Sequence, residues 1–227
     1  MILAEISVIV PVLDDDEKLE VLLGALVEHV AEIIVVDGGS SKTVEQLCSD
    51  LGASYIGSIA SRGDQVARGI ENSRGSLIWV LHVDAFHLAG PLSRLTEISG
   101  SPEAVWGRFD VMMPKLYWIP KMMNLRSRLT KICTGDQGMF FMASLVNEIG
   151  GFPSQPLMED IEMSRRLKQC EKARFVACQE VLGASDRRWR SHGILKTVFK
   201  MWWYRLLYFL GKDPGSLYRS YYGKSNR

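Results

Sequence analysis

No run of about 20 uncharged apolar residues occurs in the 227-residue chain, so the sequence offers no helix able to cross a bilayer. Cysteine is scarce. Cys48, Cys133, Cys170 and Cys178 form no Cys-x-x-Cys pair, which excludes a zinc ribbon and a disulfide scaffold. Reduced thiols in a cytoplasmic protein are the expectation. Neither sign of charge dominates: 27 Lys and Arg stand against 26 Asp and Glu. No global field therefore recruits nucleic acid. The start, Met1-Ile-Leu-Ala-Glu-Ile, lacks the basic residues and small-residue cleavage site of a signal peptide. There is no internal repeat, no low-complexity tract and no Pro/Gly/Ser-rich linker. A single domain over residues 1–227 is expected.

What is present centres on Leu77-Ile-Trp-Val-Leu-His-Val-Asp84. The apolar run Leu77–Leu81 reads as a strand buried on both faces. His82 and Asp84 then alternate, so an extended backbone points both to one side. Such a run is either a strand ending in a polar turn or the carboxyl edge where open α/β sheets bind ligands.

Other strands end in the same way. Ile6–Val12 is a β-rich run whose end Pro11 marks, because proline donates no ladder hydrogen bond. The acidic loop Leu13-Asp14-Asp15-Asp16-Glu17 leads into a helix to about Val30, with Leu19, Leu22, Leu23 and Leu26 on one face. Glu32–Asp37 is a second buried strand ending in a carboxylate, followed by Gly38-Gly39-Ser40-Ser41 and a helix over Thr43–Leu51. This turn is neither a Gly-x-Gly-x-x-Gly fingerprint nor a P-loop. Its glycines either let backbone N–H groups approach a ligand or form an ordinary turn capped by Ser41. Ala53–Gly57 is a short strand, and Ser61-Arg62-Gly63-Asp64-Gln65 opens a helix. Arg62 at a helix start opposes the dipole, which a bound anion would explain. Repeated strand–helix units predict a parallel sheet.

In the second half, Val105–Met112 alternates like a strand, with Arg108 and Asp110 on one face. They either line a cleft or pair with each other. Tyr117–Ile132 reads as a helix whose Arg126, Arg128 and Lys131 form a solvated face or attract an anionic acceptor. Thr134-Gly-Asp-Gln137 is a polar knot before the strand Met139–Met142, which makes Asp136 a site candidate. Gly150-Gly151 caps a short helix, and Pro156–Leu167 is a helix with acids in its first turn. Phe175–Cys178 and Val181–Ala184 read as two short strands, and Ser185–Gly193 as a basic loop suited to pyrophosphate. The last helix, Ile194–Leu210, alternates aromatic with basic residues. Its aromatics either cover the core or face a membrane interface.

Together these motifs resemble the family-2 glycosyltransferases. They are Val10-Pro11 with its acidic loop, Val35-Val-Asp-Gly-Gly-Ser40, Arg62 with Gln65, His82-Val-Asp84, Gly135-Asp-Gln137, Gly150-Gly-Phe152, Met158-Glu-Asp-Ile-Glu162 and Arg187-Arg-Trp189. More narrowly, Trp106-Gly-Arg-Phe-Asp110, Asn124-Leu-Arg-Ser-Arg128 and His192-Gly193 resemble a bacterial subgroup labelled radical-SAM/selenodomain-associated transferases. The resemblance implies an α/β GT-A fold: a mixed, mostly parallel sheet flanked by helices. It also implies a nucleotide-sugar half to about residue 100, an acceptor half over about 101–193, and an amphipathic helix and tail from 194. Pro11, Asp37, Gly38, Arg62, Gln65 and Asp84 then bind the donor nucleotide, with Asp37 on the base. Asp84 matches the last carboxylate of the D-x-D metal motif, whose first aspartate is replaced by His82. A divalent cation, Mn²⁺ or Mg²⁺, follows, with Asp84 and His192 as ligands. Asp160 matches the catalytic base, with Glu159 beside it, and Asp136, Gln137, Arg188 and Trp189 serve the acceptor or diphosphate. The activity implied is inverting transfer, from UDP-sugar by preference, to an unidentified acceptor. A lipid-linked acceptor would put the protein at the inner face of the membrane. One rival is a catalytically silent nucleotide-sugar-binding protein. The other is a nucleotidyltransferase, which needs a glycine-rich loop where Pro11-Val-Leu-Asp-Asp-Asp16 stands.

Overall fold

The computed structural model describes residues 5–13, 15–187 and 193–222. One seven-stranded sheet runs in the order β3-β2-β1-β4-β6-β5-β7. β1 (Ile6–Val12), β2 (Glu32–Asp37), β3 (Ser54–Gly57) and β4 (Leu77–Val80) are parallel. β6 (Phe140–Met142) is antiparallel to both β4 and β5 (Val105–Met112), and β7 (Arg174–Gly183) is parallel to β5. The mixed, mostly parallel α/β sheet matches the expectation. β4 is buried along its whole length, as its unbroken apolar run requires. Trp79 packs edge-on against Phe109 at 5.8 Å.

The helices follow the predicted pattern with shifts of a few residues. α1 (Asp16–Leu26) buries Leu19, Leu22, Leu23 and Leu26, and it stops short of Val30. α2 (Lys42–Asp50) starts at Ser41, whose hydroxyl accepts from the Val44 N–H. α3 (Arg62–Glu71) buries Gln65, Val66 and Ala67. α4 (Ala89–Ser99) has no capping side chain at its start and was not foreseen. α5 (Trp118–Thr130), α6 (Ala143–Glu148) and α7 (Glu159–Gln169) complete the second half. α8 (Ile194–Phe209) and α9 (Pro214–Tyr222) form the C-terminal pair.

The two strands expected over 175–178 and 181–184 are one strand, β7. Its register against β5 slips between Arg108↔Ala177 and Asp110↔Val181. The bulge absorbs the polar Gln179-Glu180 that interrupts the apolar pattern.

Two features place a site at the carboxyl edge. The chain order reverses between β1 and β4, the switch point where open α/β sheets leave a crevice. Pairing of β1 with β4 ends at Ile9↔Val80, whereas β1 stays paired with β2 to Val12↔Asp37. The second feature joins the halves. A side chain at Gly63, in the first turn of α3, would fall 2.3 Å from the Gln155 carbonyl, so glycine permits α3 to seat against the loop before α7. That contact brings Arg62 to the start of α7.

Candidate active site

A cleft of about 230 Å³ lies between the two halves. Its walls include Arg62, His82, Gly135, Asp136, Glu159 and Asp160, and Met201 and Arg205 of α8 close one side. Glu159 and Asp160 sit in the first turn of α7, where the helix dipole favours carboxylates, and Asp136 comes from the turn Gly135–Gln137.

The two adjacent acids have different surroundings. Glu159 is buried, and its Oε1 lies 3.2 Å from Arg62 Nε. Burial, helped by the Asp160 charge, pushes its carboxyl up to about 7 against the opposing pull of Arg62. Asp160 is half-buried, and its Oδ2 accepts from the Gly135 N–H at 2.9 Å. Arg126 stands behind it. Burial lowers the Arg126 pKa, and the Asp160 charge acts in the opposite sense. Its Nε and Nη2 are buried without a hydrogen-bond partner. Arg126 therefore turns inward rather than joining the expected solvated face.

Arg62 links the acids to the end of β4. Its Nη1 lies 3.0 Å from His82 Nε2. A guanidinium only donates, so Nε2 accepts and the proton of the neutral ring sits on Nδ1. The 3.8 Å approach of His82 Nε2 to Asp136 is then a contact rather than an ion pair. A Cβ on Gly135 would fall 2.8 Å from both the Arg62 nitrogens and His82 Nε2, so glycine is what lets this cluster close.

At the β1–β4 crevice, Asp84 Oδ2 lies 3.8 Å from Lys18 Nζ, and Asp15 Oδ1 lies 3.5 Å from the same nitrogen. Lys18 Nζ is buried with no hydrogen bond. Arg187 reaches Asp15 at 3.1 Å. The crevice thus gathers two carboxylates around one poorly satisfied cation. Nothing in the sequence singled out Lys18. Its signal is its place directly after the acidic loop, three residues on from Asp15 in the first turn of α1.

Other predicted residues serve the frame. Asp37 is 1% exposed, and its oxygens accept from the N–H of Gly39 at 2.7 Å and of Ser41 at 2.6 Å, and from the Tyr55 hydroxyl at 3.3 Å. It shapes the loop that begins at Gly38, whose N–H donates to the Val12 carbonyl. The Gln65 amide donates to the carbonyls of Val12 at 2.8 Å and Val36 at 2.7 Å, tying the ends of β1 and β2. Gln137 is fully buried. Its amide donates to Ser127 Oγ at 3.0 Å and Asn124 Oδ1 at 3.3 Å, so the structure does not bring it to the cleft. Pro11 sits in β1 opposite Val36. Arg108 is buried, pairs with Asp110, and donates to the Asn124 carbonyl at 3.1 Å, while Asp110 also bonds Arg128 at 2.6 Å. This pairing fastens α5 to β5 and stands apart from the cleft at Asp160, although Asp110 borders a separate pocket with Met113, Tyr117 and Lys121. Asp14, Arg188, Trp189 and His192 lie outside the described residues.

The sequence model of glycosyl transferase family 2 matches residues 7–148, more than half of the chain. The chain belongs to glycosyl transferase family 2. Solved structures of this family's fold align over most of it. Glucosyl-3-phosphoglycerate synthase from Mycobacterium tuberculosis, in complex with Mg²⁺ and UDP, aligns with a TM-score of 0.58 at 15% identity, over 78% of this chain and 69% of that one. The mannosyltransferase PcManGT from Pyrobaculum calidifontis, in complex with GDP-Man and Mn²⁺, gives a TM-score of 0.62 at 16% identity, over 79% of this chain and 56% of that one. S. aureus TarS residues 1–349 give 0.62 at 16% identity, over 80% and 60%. This chain is therefore shorter than each of them. No curated protein sequence matches it.

The described residues hold no cluster of three His, Cys, Asp or Glu side chains able to bind a metal ion alone. Asp84 fits as one ligand of a cation whose other ligands come from a bound diphosphate. The Lys18 ammonium beside it, buried without a hydrogen-bond acceptor, suits the oxygens of that diphosphate.

Proposed function

We propose that this protein transfers a sugar from a nucleotide-diphosphate donor, of the UDP class by preference, to an acceptor hydroxyl with inversion at the anomeric carbon. The observation that carries the reading is Asp160: a carboxylate in the cleft, anchored through one oxygen by the Gly135 N–H. The acceptor oxygen attacks the anomeric carbon from the face opposite the diphosphate. The bond to the diphosphate oxygen breaks, the new glycosidic bond forms, and the hydroxyl proton passes to the Asp160 carboxylate. Glu159 holds Arg62, and Arg62 holds His82, so the pair fixes the cleft floor between donor and acceptor.

The donor half extends to about residue 100, and its diphosphate lies over the crevice at Asp84 and Lys18. Asp84 and His192 would hold a divalent cation, Mn²⁺ or Mg²⁺, whose charge would offset that of the leaving diphosphate. The Asp37 loop borders the base. The acceptor enters where α8 lines the cleft with Met201 and Arg205, and in this reading it is lipid-linked.

Calorimetry with UDP-sugars and GDP-sugars, with and without Mn²⁺, tests the reading. Tight binding of a nucleotide sugar that depends on Mn²⁺, followed by slow hydrolysis to the free nucleotide diphosphate, is expected. Binding of nucleoside triphosphates alone would overturn it.

A further inference from the structure

Two helices beside the cleft turn apolar stripes outward. On α8, Phe199, Trp202, Trp203, Leu206, Phe209 and Leu210 are 49–75% exposed. Their spacing of three, four, seven, ten and eleven residues from Phe199 makes one helix face. The opposite face, with Val198, Met201 and Tyr204, packs inward. On α5, Trp118, Met122, Leu125 and Leu129 repeat the pattern at 56–75% exposure, with Tyr117 beside them. Both helices rest their inner sides on one small core that includes Val111, Met113, Met123 and Met201. The aromatics of α8 therefore do not mainly cover the core, which was one of the two readings open from sequence.

At roughly 150–250 Å² per large side chain, these eleven residues leave on the order of 1,000 Å² of apolar surface. The largest patch of an ordinary monomer is about 300–600 Å². Such a surface needs an occupant, and the charges say which. Residues 117–131 carry Lys121, Arg126, Arg128 and Lys131 and no acid. Residues 193–222 carry Lys196, Lys200, Arg205, Lys212 and Arg219 against Asp213 alone. These nine cations and one acid leave 18 Lys and Arg against 25 Asp and Glu in the rest of the chain. Arg126 turns inward and Arg205 lines the cleft, so seven of the nine remain to make these two segments basic against an acidic body. A second copy would meet this face with a like-charged one. An anionic bilayer matches both its charge and its Trp and Tyr residues, which favour the lipid–water boundary. No helix among the described residues is long and apolar enough to cross a membrane, so the contact is peripheral.

We propose that the outward faces of α5 and α8 form one docking surface for an anionic lipid bilayer, set beside the cleft so that a lipid-borne acceptor reaches Asp160. The docking stands on the surface alone; the acceptor's delivery rests on the transfer reading above. Flotation of the full chain with vesicles of phosphatidylcholine, alone or mixed with phosphatidylglycerol, tests it. The protein should float with the mixed vesicles, stay at the bottom with phosphatidylcholine alone, and be released by high salt. The double variants Trp202→Ser/Trp203→Ser and Trp118→Ser/Leu125→Ser, which alter only exposed positions, should each lower the floated fraction at least ~5-fold. Their hydrolysis of nucleotide sugar without lipid should match wild type, since none of these residues lines the cleft. Wild type that floats but hydrolyses nothing supports the docking and removes the transfer reading. Wild type that stays down with the mixed vesicles overturns the proposal, as do variants that float undiminished. A lipid-free dimer that Trp202→Ser/Trp203→Ser dissociates also overturns it, because a second copy then covers the face.

Discussion

Replacing Glu159 by glutamine removes a charge from a place that resists it. Glu159 is 6% exposed, and burial, with the Asp160 charge, raises its carboxyl from 4.5 to about 7. A rise of about 2.5 units corresponds to about 3 kcal/mol. The unfolded chain, whose carboxyl titrates near 4.5, releases this proton first. Folding therefore gains from the protonated group. That gain is fully present below pH 4.5 and is lost as pH rises through about 7. Urea unfolding of wild type and Glu159→Gln at steps from pH 4.5 to 8 measures it. Wild type should lose about 3 kcal/mol more than the variant across that window. Glutamine keeps the shape and places an amide oxygen where the carboxylate faces Arg62, so the variant should fold. Parallel pH profiles for the two proteins would refute the assignment of a protonated, buried Glu159. The same variant bears on chemistry. Glu159→Gln should retain measurable transfer, because the proton acceptor is its neighbour.

Three further outcomes follow from the geometry. Removing divalent cations with EDTA should weaken UDP binding at least ~10-fold by calorimetry, and Asp84→Asn should reproduce that loss with cations present. Gly135→Ala presses only on the movable ends of Arg62 and His82, so urea unfolding should change by less than about 1 kcal/mol while the single-turnover rate falls at least ~10-fold. Gln65→Leu removes the amide donor shared by the Val12 and Val36 carbonyls, of which Val12 keeps the Gly38 N–H, so urea unfolding should show a loss of roughly 1–3 kcal/mol, which a residue that only touched the donor would not give.

The fold was legible because its strands announce themselves. Leu77–Leu81 and Ile33–Val36 are unbroken apolar runs followed by His82 and Asp37, and a doubly covered parallel strand has that signature. α4 was missed because Gly90-Pro91 and an uncapped start hide its first turn, although Leu92, Leu95 and Ile98 keep helical spacing. β7 was split because a bulge places polar residues inside a strand, where period-two reasoning stops.

The site was legible only in part, for a different reason. Residue type and position drew attention to Arg62, Asp84 and Asp136, whereas Glu159 and Asp160 stood out only through the family resemblance, because acids in the first turn of a helix have an ordinary structural use. The same argument could not tell a ligand-facing amide from a fastener. Gln65 and Gln137 satisfy backbone and side-chain groups tens of residues away, and that is a tertiary fact. Lys18 and Arg205 were passed over because each sits on a helix amid ordinary surface charges. Only folding shows one buried between two carboxylates and the other at the cleft wall.

The central claim is that Asp160 takes the acceptor's proton, and one comparison tests it most directly. Asp160→Asn keeps the size of the side chain and an oxygen to accept from the Gly135 N–H, but it has no basic carboxylate. Donor affinity by calorimetry and transfer rate under single-turnover conditions are measured on the same preparation. The account predicts unchanged nucleotide-sugar affinity with a loss of at least ~100-fold in transfer. A variant that binds the donor as wild type does and transfers within a few-fold of it would contradict the account.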